Sequence, residues 1–395
     1  MKRNIERFKN HCCGCGLCQN ICPKSAISMK KNVQGFLYPA VDQSKCVECG
    51  LCVKSCVFQD TGSPGRNGTN KPLAVAFKHQ NAAVREQSQS GGAFTAISDL
   101  VLHNGGVVYG CELVDFCTAL HTRAENREER NRQRGSKYIQ SDLFGIYAAI
   151  QADLQSGKQV LFSGTPCQVA AVKSFFQNAD TSNLLLVDLL CNGVGSPGLW
   201  AAYLESIGKQ HGGKITGVVF RNKTDFGWSR HVETVFFEDG KQDSTVFKTL
   251  YNSHIAMRRD CASCIYKTVD RQGDISIGDC WGVKTELPDF YDESGVSLVL
   301  VNTEKGAKIL RSLTGVDLVS VENVKLLNQP SLNQNWKLPQ KYDAFWHFYE
   351  KNGFEKSMQK YNAYIDSILY GEEKPTMIRR LYSKCASIVK KVLKK

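Results

Sequence analysis

Between residues 73 and 200 the apolar positions switch repeatedly between a period of two and a period near 3.6. Leu73–Lys78 reads as a strand. Ser88–Phe94 is a turn that feeds a helix over Ala93–His103, which Gly105 and Gly106 end. Val107–Tyr109 and Val114–His121 read as strands. The mixed-sign run Arg123–Arg134 reads as a solvated helix laced with ion pairs, with Gly135 as its cap. An amphipathic helix follows, ending at Gln155 before Gly157. Gln159–Phe162 is a strand, Ser163–Pro166 a turn and Cys167–Gln177 a helix. Leu184–Leu190 is an almost unbroken apolar run, the pattern of a strand buried on both faces, and a helix starts at Leu199. This alternation of strand and helix predicts parallel pairing. From Ile215 the pattern is richer in strand: Ile215–Arg221, His231–Phe237, Thr245–Lys248, Asp274–Ile277 and Val296–Val301, with a helix over Tyr251–Arg259. Beyond Pro339 the chain reads as helical and aromatic.

At 395 residues there is room for two or three domains, and 42% hydrophobic with 22% charged residues is ordinary for a globular protein. No apolar run approaches the length of a membrane span. The first ten residues are polar and basic with no apolar signal segment, so a reducing, cytoplasmic location is expected. The net charge of +12 resembles that of a nucleic-acid binder, but no arginine-and-aromatic surface pattern accompanies it, and no nucleic acid is expected as a partner. Much of the excess lies in the stretch from Arg379 to Lys395, which holds no acid. There Ile378, Leu381, Cys385, Ile388, Val392 and Leu393 form an apolar stripe opposite Lys384, Lys390, Lys391 and Lys394. Such a basic amphipathic helix either docks on its own protein or makes a peripheral contact with an anionic membrane.

The cysteines change the picture most. Nine of the 17 fall between Cys12 and Cys56. Eight of these form two copies of one spacing, Cys12-x2-Cys15-x2-Cys18-x3-Cys22 and Cys46-x2-Cys49-x2-Cys52-x3-Cys56, the first followed by Pro23 and the second by Val57. This is the spacing of a bacterial ferredoxin with two 4Fe-4S clusters, in which the fourth cysteine of each run serves the other cluster. The expected quartets are therefore Cys12, Cys15, Cys18 with Cys56, and Cys46, Cys49, Cys52 with Cys22. Each fourth cysteine is expected to start a short helix, and Gly16 and Gly50 to leave room for backbone to approach. Zinc and disulfides are the competing readings. Two complete four-cysteine runs exceed what zinc needs, and disulfides need an oxidising compartment. Cys13 lies outside the register and reads as a small buried residue, as do Cys111, Cys117, Cys280 and Cys385. Thr61–Pro72, rich in Gly, Pro, Asn and Ser, is a linker. The expected architecture is an α/β (α+β) core with a mixed sheet, preceded by a small bacterial-ferredoxin-like domain and followed by a helical tail. Its divisions are 1–60, the linker 61–72, an N-terminal part of the core at 73–157, a C-terminal part at 158–338 and a tail at 339–395.

Four further cysteines stand at turns where chemistry is plausible: Cys167 at a strand-to-helix turn, Cys191 after the buried strand, and the pair Cys261 and Cys264. Spacing alone leaves a joint metal site and scattered buried thiols as equal alternatives. Several stretches, however, resemble the family of coenzyme F420 hydrogenase/dehydrogenase beta subunits: Ser90-Gly-Gly-Ala-Phe94, Lys137-Tyr-Ile-Gln-Ser141, Phe162-Ser-Gly-Thr-Pro-Cys167, Cys191-Asn-Gly-Val194, Cys261-Ala-Ser-Cys264 and Gly273-Asp-Ile-Ser-Ile-Gly-Asp279 with Trp281-Gly282. The resemblance runs from residue 73 to about 320. It implies FAD and a third 4Fe-4S cluster, held by Cys167, Cys191, Cys261 and Cys264. Cys280 stands where the family usually has an aromatic residue, and Asn192 where histidine is common. Flavin phosphates need helix N-termini, and two qualify. One is Ser90-Gly91-Gly92, where Ser90 can cap; the other is Ser163-Gly164-Thr165. Lys137, with Ser141 in the same motif, is expected beside the cofactor. Gly193–Gly198 matches G-x-G-x-x-G, but Pro197 interrupts it and no acid follows about 20 residues on, so a loop around Cys191 is its better role.

The implied activity is that of an iron–sulfur flavoprotein oxidoreductase. It would take single electrons from an external carrier or redox partner protein and deliver pairs to a small organic acceptor, the deazaflavin coenzyme being the family's namesake. The alternative is a non-catalytic electron-transfer subunit of a hydrogenase or formate dehydrogenase. No proton donor stands out among His79, His103, His121, His231 and His254.

Overall fold

Buried on both faces, Val160, Leu161 and Phe162 sit in the middle of the largest sheet of the protein. The structure is a computed structural model describing residues 4–8, 11–58, 72–322 and 324–370. The linker segment through residue 71 and the basic stripe beyond residue 370 lie outside the described residues. The N-terminal module carries β1 (Ile27–Lys31) and β2 (Leu37–Val41). The core adds β3 (Leu73–His79), β4 (Val107–Val114), β5 (Thr118–Ala124), β6 (Val160–Gly164), β7 (Leu184–Leu189), β8 (Ile215–Val219), β9 (Glu233–Phe237), β10 (Gly240–Ser244), β11 (Ile275–Asp279), β12 (Ser297–Val301) and β13 (Val316–Ser320). Eight strands form one mixed sheet in the order β13-β3-β12-β11-β7-β6-β4-β5. β4, β6, β7 and β11 run parallel in its middle, and antiparallel strands flank them on both sides.

The alternation of side chains explains the unbroken apolar runs. Val160, Phe162, Leu184 and Leu186 face one layer, with Ile146, Ile150 and Val169 from the helices Ile146–Gln155 and Pro166–Phe175. Leu161, Leu185, Val187 and Ile275 face the other, with Ile97 and Val101 of the helix Ala93–His103 and Leu310 of the helix Glu304–Ser312. A buried ion pair ties the middle together. Both oxygens of Asp188 on β7 are used: one accepts from Arg271 Nε and Nη2 at 3.1 and 2.8 Å, the other from the backbone N–H groups of Gln272 and Gly273. This fixes the turn that delivers β11.

A second sheet, β10-β9-β8, packs with the helix Pro197–His211 around Trp200, Tyr203, Val235 and Phe247. The helical stretch Tyr342–Tyr370 breaks at Gly353, whose φ of 77° and ψ of −176° split it in two. Among the described residues no helix is long and apolar enough to cross a membrane.

Several expectations are corrected. The predicted strand Thr245–Lys248 lies largely in a helix, Val246–Asn252, because Phe247, Leu250 and Tyr251 bury one helical face. The predicted helix Tyr251–Arg259 is instead the end of that helix, a turn and a short 3-10 helix at Arg259–Ser263. The strand expected over Val114–His121 begins only at Thr118 and runs to Ala124. The solvated helix over Arg123–Arg134 shrinks to Arg127–Arg132 and ends at Gln133. Its Arg127, Glu128, Asn131 and Arg132 are exposed as expected, with ion pairs from Arg127 to Asp99 and Arg132 to Glu112, but Arg130 is buried, bonded to Asp99, the Thr95 carbonyl and Ser98.

Candidate functional site

In the N-terminal module the two cysteine runs fold alike. Gly16 and Gly50 have φ of 73° and 77° and precede the one-turn helices Leu17–Asn20 and Leu51–Lys54. Nothing but Asn20 approaches a Cβ built at Gly16, so the glycine answers a left-handed backbone rather than a close approach. These helices carry the third cysteine of each run, Cys18 and Cys52, and the fourth follows the helix rather than starting it. Cys22, Cys46, Cys49 and Cys52 line one small pocket. Cys12 is raised by burial and interacts with Cys56, and Cys18 interacts with both. Cys12, Cys18 and Cys56 are thus near one another, and Cys22, Cys46, Cys49 and Cys52 share the other pocket. Backbone N–H groups of Gly14 and Ala26 point at Cys12 and Cys22 sulfurs at 3.3 and 3.4 Å.

Buried side chains of the core clamp this module. Arg258, fully buried, donates from Nε to the Cys12 carbonyl at 2.6 Å and from Nη2 to the Leu37 carbonyl at 3.1 Å. Gln140 accepts from the Leu37 N–H and donates to the Cys13 carbonyl. The hydroxyls of Tyr147 and Tyr266 donate to the carbonyls of Cys15 and Val57. Ser196 and the Gly198 N–H both bond the Gln34 carbonyl, and a Cβ at Gly35 would stand 2.5 Å from the Gly198 nitrogen. The G-x-G-x-x-G stretch therefore serves docking through Gly198 and the cysteine loop through Gly193.

Cys167, Cys191, Cys261 and Cys264 come together around one pocket, far apart as they are in sequence. Cys167 enters at the start of the helix Pro166–Phe175, Cys191 at the end of β7, and Cys261 and Cys264 from the 3-10 turn. Burial pushes Cys191 up to about 12 and Cys264 up to about 11, and Cys261 well up too. Cys167 is held high first by its hydrogen bond with Cys13 and then by burial. Such thiols keep their protons until a strong Lewis acid displaces them. Among the described residues no three His, Cys, Asp or Glu side chains converge on one point as ligands of a single ion would. The four cysteines line one pocket between them. No disulfide joins the described cysteines.

The same wall continues into a larger cavity of about 450 Å³. It opens beyond the carboxyl ends of the parallel strands, at Cys111 after the paired part of β4, Ser163–Gly164 of β6, Cys191 after β7 and Asp279 of β11. Ser90, Gly92, Lys137, Ser141, Ser163, Gly164 and Thr165 all line it. Gly91 does not; a Cβ there would lie 2.3 Å from the Phe77 carbonyl and 2.6 Å from the Ser297 nitrogen, so it is a packing residue. Ser90 does not cap the helix but donates to the Val296 carbonyl, and Gly92, at φ 91°, is the N-cap with no side-chain bond. Thr165 and Gln168 form a capping box on the second helix. Lys137 is half-buried, bonds the carbonyls of Arg132 and Arg134, and is pulled down to about 8 by desolvation. The residues fit a phosphate-bearing cofactor: the Ala93–His103 helix turns an uncapped N-terminus to the cavity, and lining residues carry buried donors without partners, Arg134 Nε and Gln89 Nε2.

Of His79, His103, His121, His231 and His254, only His121 and His231 line the cavity. Burial pulls each down to about 4, so both are neutral imidazoles. His121 is stacked on Phe162 and bonded through Nε2 to the Ser163 carbonyl, with Nδ1 left without a partner. Trp281 stacks on Trp228 at 5.0 Å, with the Arg221 guanidinium over its ring. Sequence reasoning missed Arg258, Tyr147 and Tyr266, whose hydrogen-bond partners are distant in sequence, and Arg134; Gln89 and Gln140 lay inside stretches already read, without a role. It also misread three thiols expected to be buried. Cys13, Cys111 and Cys117 are only partly buried, Cys13 lining the core cysteine pocket and Cys111 the large cavity, whereas Cys280 is buried as expected and Cys385 lies outside the described residues.

Residues 157–325 match the family described as the C terminus of the coenzyme F420 hydrogenase/dehydrogenase beta subunit, and residues 11–59 match the 4Fe-4S dicluster domain. One subunit of the F420H2 dehydrogenase of Methanosarcina mazei is 24% identical over 197 residues, 46% of this chain and 53% of that protein. The ferredoxin-type protein MauM for methylamine utilisation, from Methylophilus methylotrophus, is 47% identical over 51 residues, 12% of this chain and 23% of that protein. The chain thus spans about half the length of the first relative and less of the second. The F420-reducing [NiFe] hydrogenase complex of Methanosarcina barkeri, in a xenon-derivatised structure, aligns with a TM-score of 0.44 and 18% identity, over 74% of this chain and 92% of that one. With a 4Fe-4S domain ahead of this matched core, the chain is similar over residues 157–325 to the coenzyme F420 hydrogenase/dehydrogenase beta subunits.

Proposed function

We propose that the chain is an iron–sulfur flavoprotein oxidoreductase that receives single electrons at its N-terminal module and delivers them in pairs to a small organic acceptor in the large cavity. One observation carries this reading: the sites adjoin in series. Cys13 of the module lines the core cysteine pocket, and Thr165, Gln168, Cys191, Asn192, Gly193 and Val194 line both that pocket and the cavity. In this reading Cys12, Cys15, Cys18 and Cys56 hold one 4Fe-4S cluster, Cys46, Cys49, Cys52 and Cys22 a second, and Cys167, Cys191, Cys261 and Cys264 a third. FAD is the cofactor of the cavity, its phosphates met by Arg134, Gln89 and the helix N-terminus at Gly92, with Lys137, Ser141, Ser163 and Thr165 around it. Clusters pass one electron at a time and a flavin takes one or two, which joins the two regimes. The chain's own residues keep water out and hold charge. Asp279 is already paired with Arg221 and the Trp228 N–H, at 2.7 Å each. His121 and His231 offer neutral imidazoles for proton handling. The likeness to one component of an F420H2 dehydrogenase supports a deazaflavin as acceptor.

A second reading, a non-catalytic subunit that hands electrons to a partner protein, is favoured by the surface of the module. Cys49 is exposed, and Val47 and Leu51 beside it are 60% and 41% exposed, an apolar rim of the kind protein contacts use. The test is iron, acid-labile sulfide and flavin on anaerobically purified protein. Three clusters require about 12 iron atoms per chain, with about one flavin. A value of about 8 iron would remove the core cluster, and with it this mechanism. Turnover of a deazaflavin by the single chain with a reduced one-electron carrier separates the first reading from the second.

A further inference from the structure

We propose that Trp336 is a positioning residue of the core quartet, one that locks the loop after Cys191 and keeps water and chelators off that side of the pocket. The proposal rests on the reading of Cys167, Cys191, Cys261 and Cys264 as cluster ligands. Trp336 lies beyond residues 157–325, the part of the chain that matches the beta-subunit family. It comes from an irregular stretch in which Asn335 and Lys337 are exposed, yet Trp336 itself is half-buried.

Three successive carbonyls of the loop are taken by donors from elsewhere in the chain. Asn192 accepts from Trp336 Nε1 at 2.9 Å, Gly193 from the Tyr251 hydroxyl at 2.9 Å and Val194 from the Arg258 N–H at 2.8 Å. All three residues line both the core cysteine pocket and the large cavity, so the loop is a wall shared by the two. The Asn192 side chain is held as well. Its Oδ1 accepts from Lys267 Nζ at 3.3 Å, and Lys267 lines the core cysteine pocket. The same ammonium lies over the Trp336 ring, 5.6 Å from its centroid.

The indole is fixed in turn by His254, whose ring stacks on it at 4.4 Å with an angle of 8° between the planes. His254 has φ of 63°, a left-handed backbone just after the helix Val246–Asn252, where glycine is the usual residue. An imidazole at that position gains its contact with Trp336. The indole N–H is thereby aimed at the Asn192 carbonyl. That carbonyl is partly buried, and without the indole it must take a water in its place. Such a water would stand next to Cys191, and the loop would open more often onto the pocket.

The test is the rate at which a phenanthroline-type ferrous chelator removes iron from the full chain, reduced with dithionite under anaerobic conditions. Wild type is compared with Trp336→Phe, which keeps a ring for His254 and loses the N–H. Both are expected to hold about 12 iron atoms. In Trp336→Phe about 4 of them are expected to leave roughly fivefold faster, and about 8 at the wild-type rate. The fast phase is expected to vanish when Trp336→Phe is combined with Cys167→Ser. A wild-type rate in Trp336→Phe would overturn the role of Trp336. So would equal acceleration of all the iron, which marks a general loss of stability, or a fast phase that persists beside Cys167→Ser, which places the effect outside the core quartet. Wild-type protein holding about 8 iron would overturn it together with the proposed function.

Discussion

Gly193 illustrates what a single position carries in this protein. Its φ is 144°, and a Cβ there would lie 2.9 Å from Met257 Sδ and 3.2 Å from Cys261 Cβ. The residue lets the loop after Cys191 lie against the loop of Cys261. Gly193→Ala combines backbone strain with this collision, so a loss of on the order of 2 kcal/mol in stability is expected. Iron content is expected to fall as the two loops part. Denaturant unfolding of the variant, with iron counted in parallel, checks this; wild-type values in both would mean that the loop has room to adjust. The N-terminal repeat was legible because its ligands are local and their spacing is the signal. Cys13 was misread for the opposite reason: it lines a pocket with Cys167, 154 positions away, and no local pattern marks that neighbourhood.

At the scale of elements, the parallel strands and the helices on their two faces were readable, since unbroken apolar runs bounded by glycine leave few alternatives. Thr245–Lys248 was not, because a four-residue apolar–polar run suits a strand and a helix equally, and here Glu233 helps decide. Glu233 on β9 is buried, and it accepts from the Tyr203 hydroxyl and from the Phe247 and Lys248 N–H groups that open the helix Val246–Asn252. Burial pushes its carboxyl from the usual 4.5 up to about 7. Between those pH values the folded chain keeps a proton that the unfolded chain releases, so stability falls as pH rises through the window and the full penalty stands above pH 7. Glu233→Gln is therefore expected to gain on the order of 2 kcal/mol relative to wild type at pH 8 and little at pH 5. Urea unfolding at the two pH values measures the difference; an equal effect at both would rule out charge as its origin.

On the scale of the whole molecule, the small N-terminal module is a wall of the core cysteine pocket, which Cys13 and Phe58 line. Leu17, Val57 and Phe58 join the same buried cluster as Phe162 and Val169 of the core. Arg258, with Asp260 at 3.4 Å, spans the boundary as a buried charge with no water to fall back on. The proposed relay makes a prediction at this scale. Cys167→Ser is expected to lower iron from about 12 to about 8 per chain while leaving the N-terminal clusters reducible by dithionite. Flavin bound to that variant should no longer be reduced by a one-electron carrier that reduces it in the wild type. Rapid flavin reduction in the variant would place the electron path outside the core quartet.

What the sequence determined by itself was what local chemistry encodes: the two cysteine runs, the alternation of strands and helices along most of the core, and the motifs that mark it. Tertiary structure decided which of these meet. It brought Cys167, Cys191, Cys261 and Cys264 to one pocket, and set that pocket against the N-terminal module through Arg258, Gln140 and Tyr147. It also turned Gly91 from a cofactor neighbour into a packing residue. The physical reason is common to all of these. Spacing reports on neighbours within a turn or a strand, whereas a buried hydrogen bond, a shared cavity wall or a steric limit depends on chain brought in from a hundred residues away.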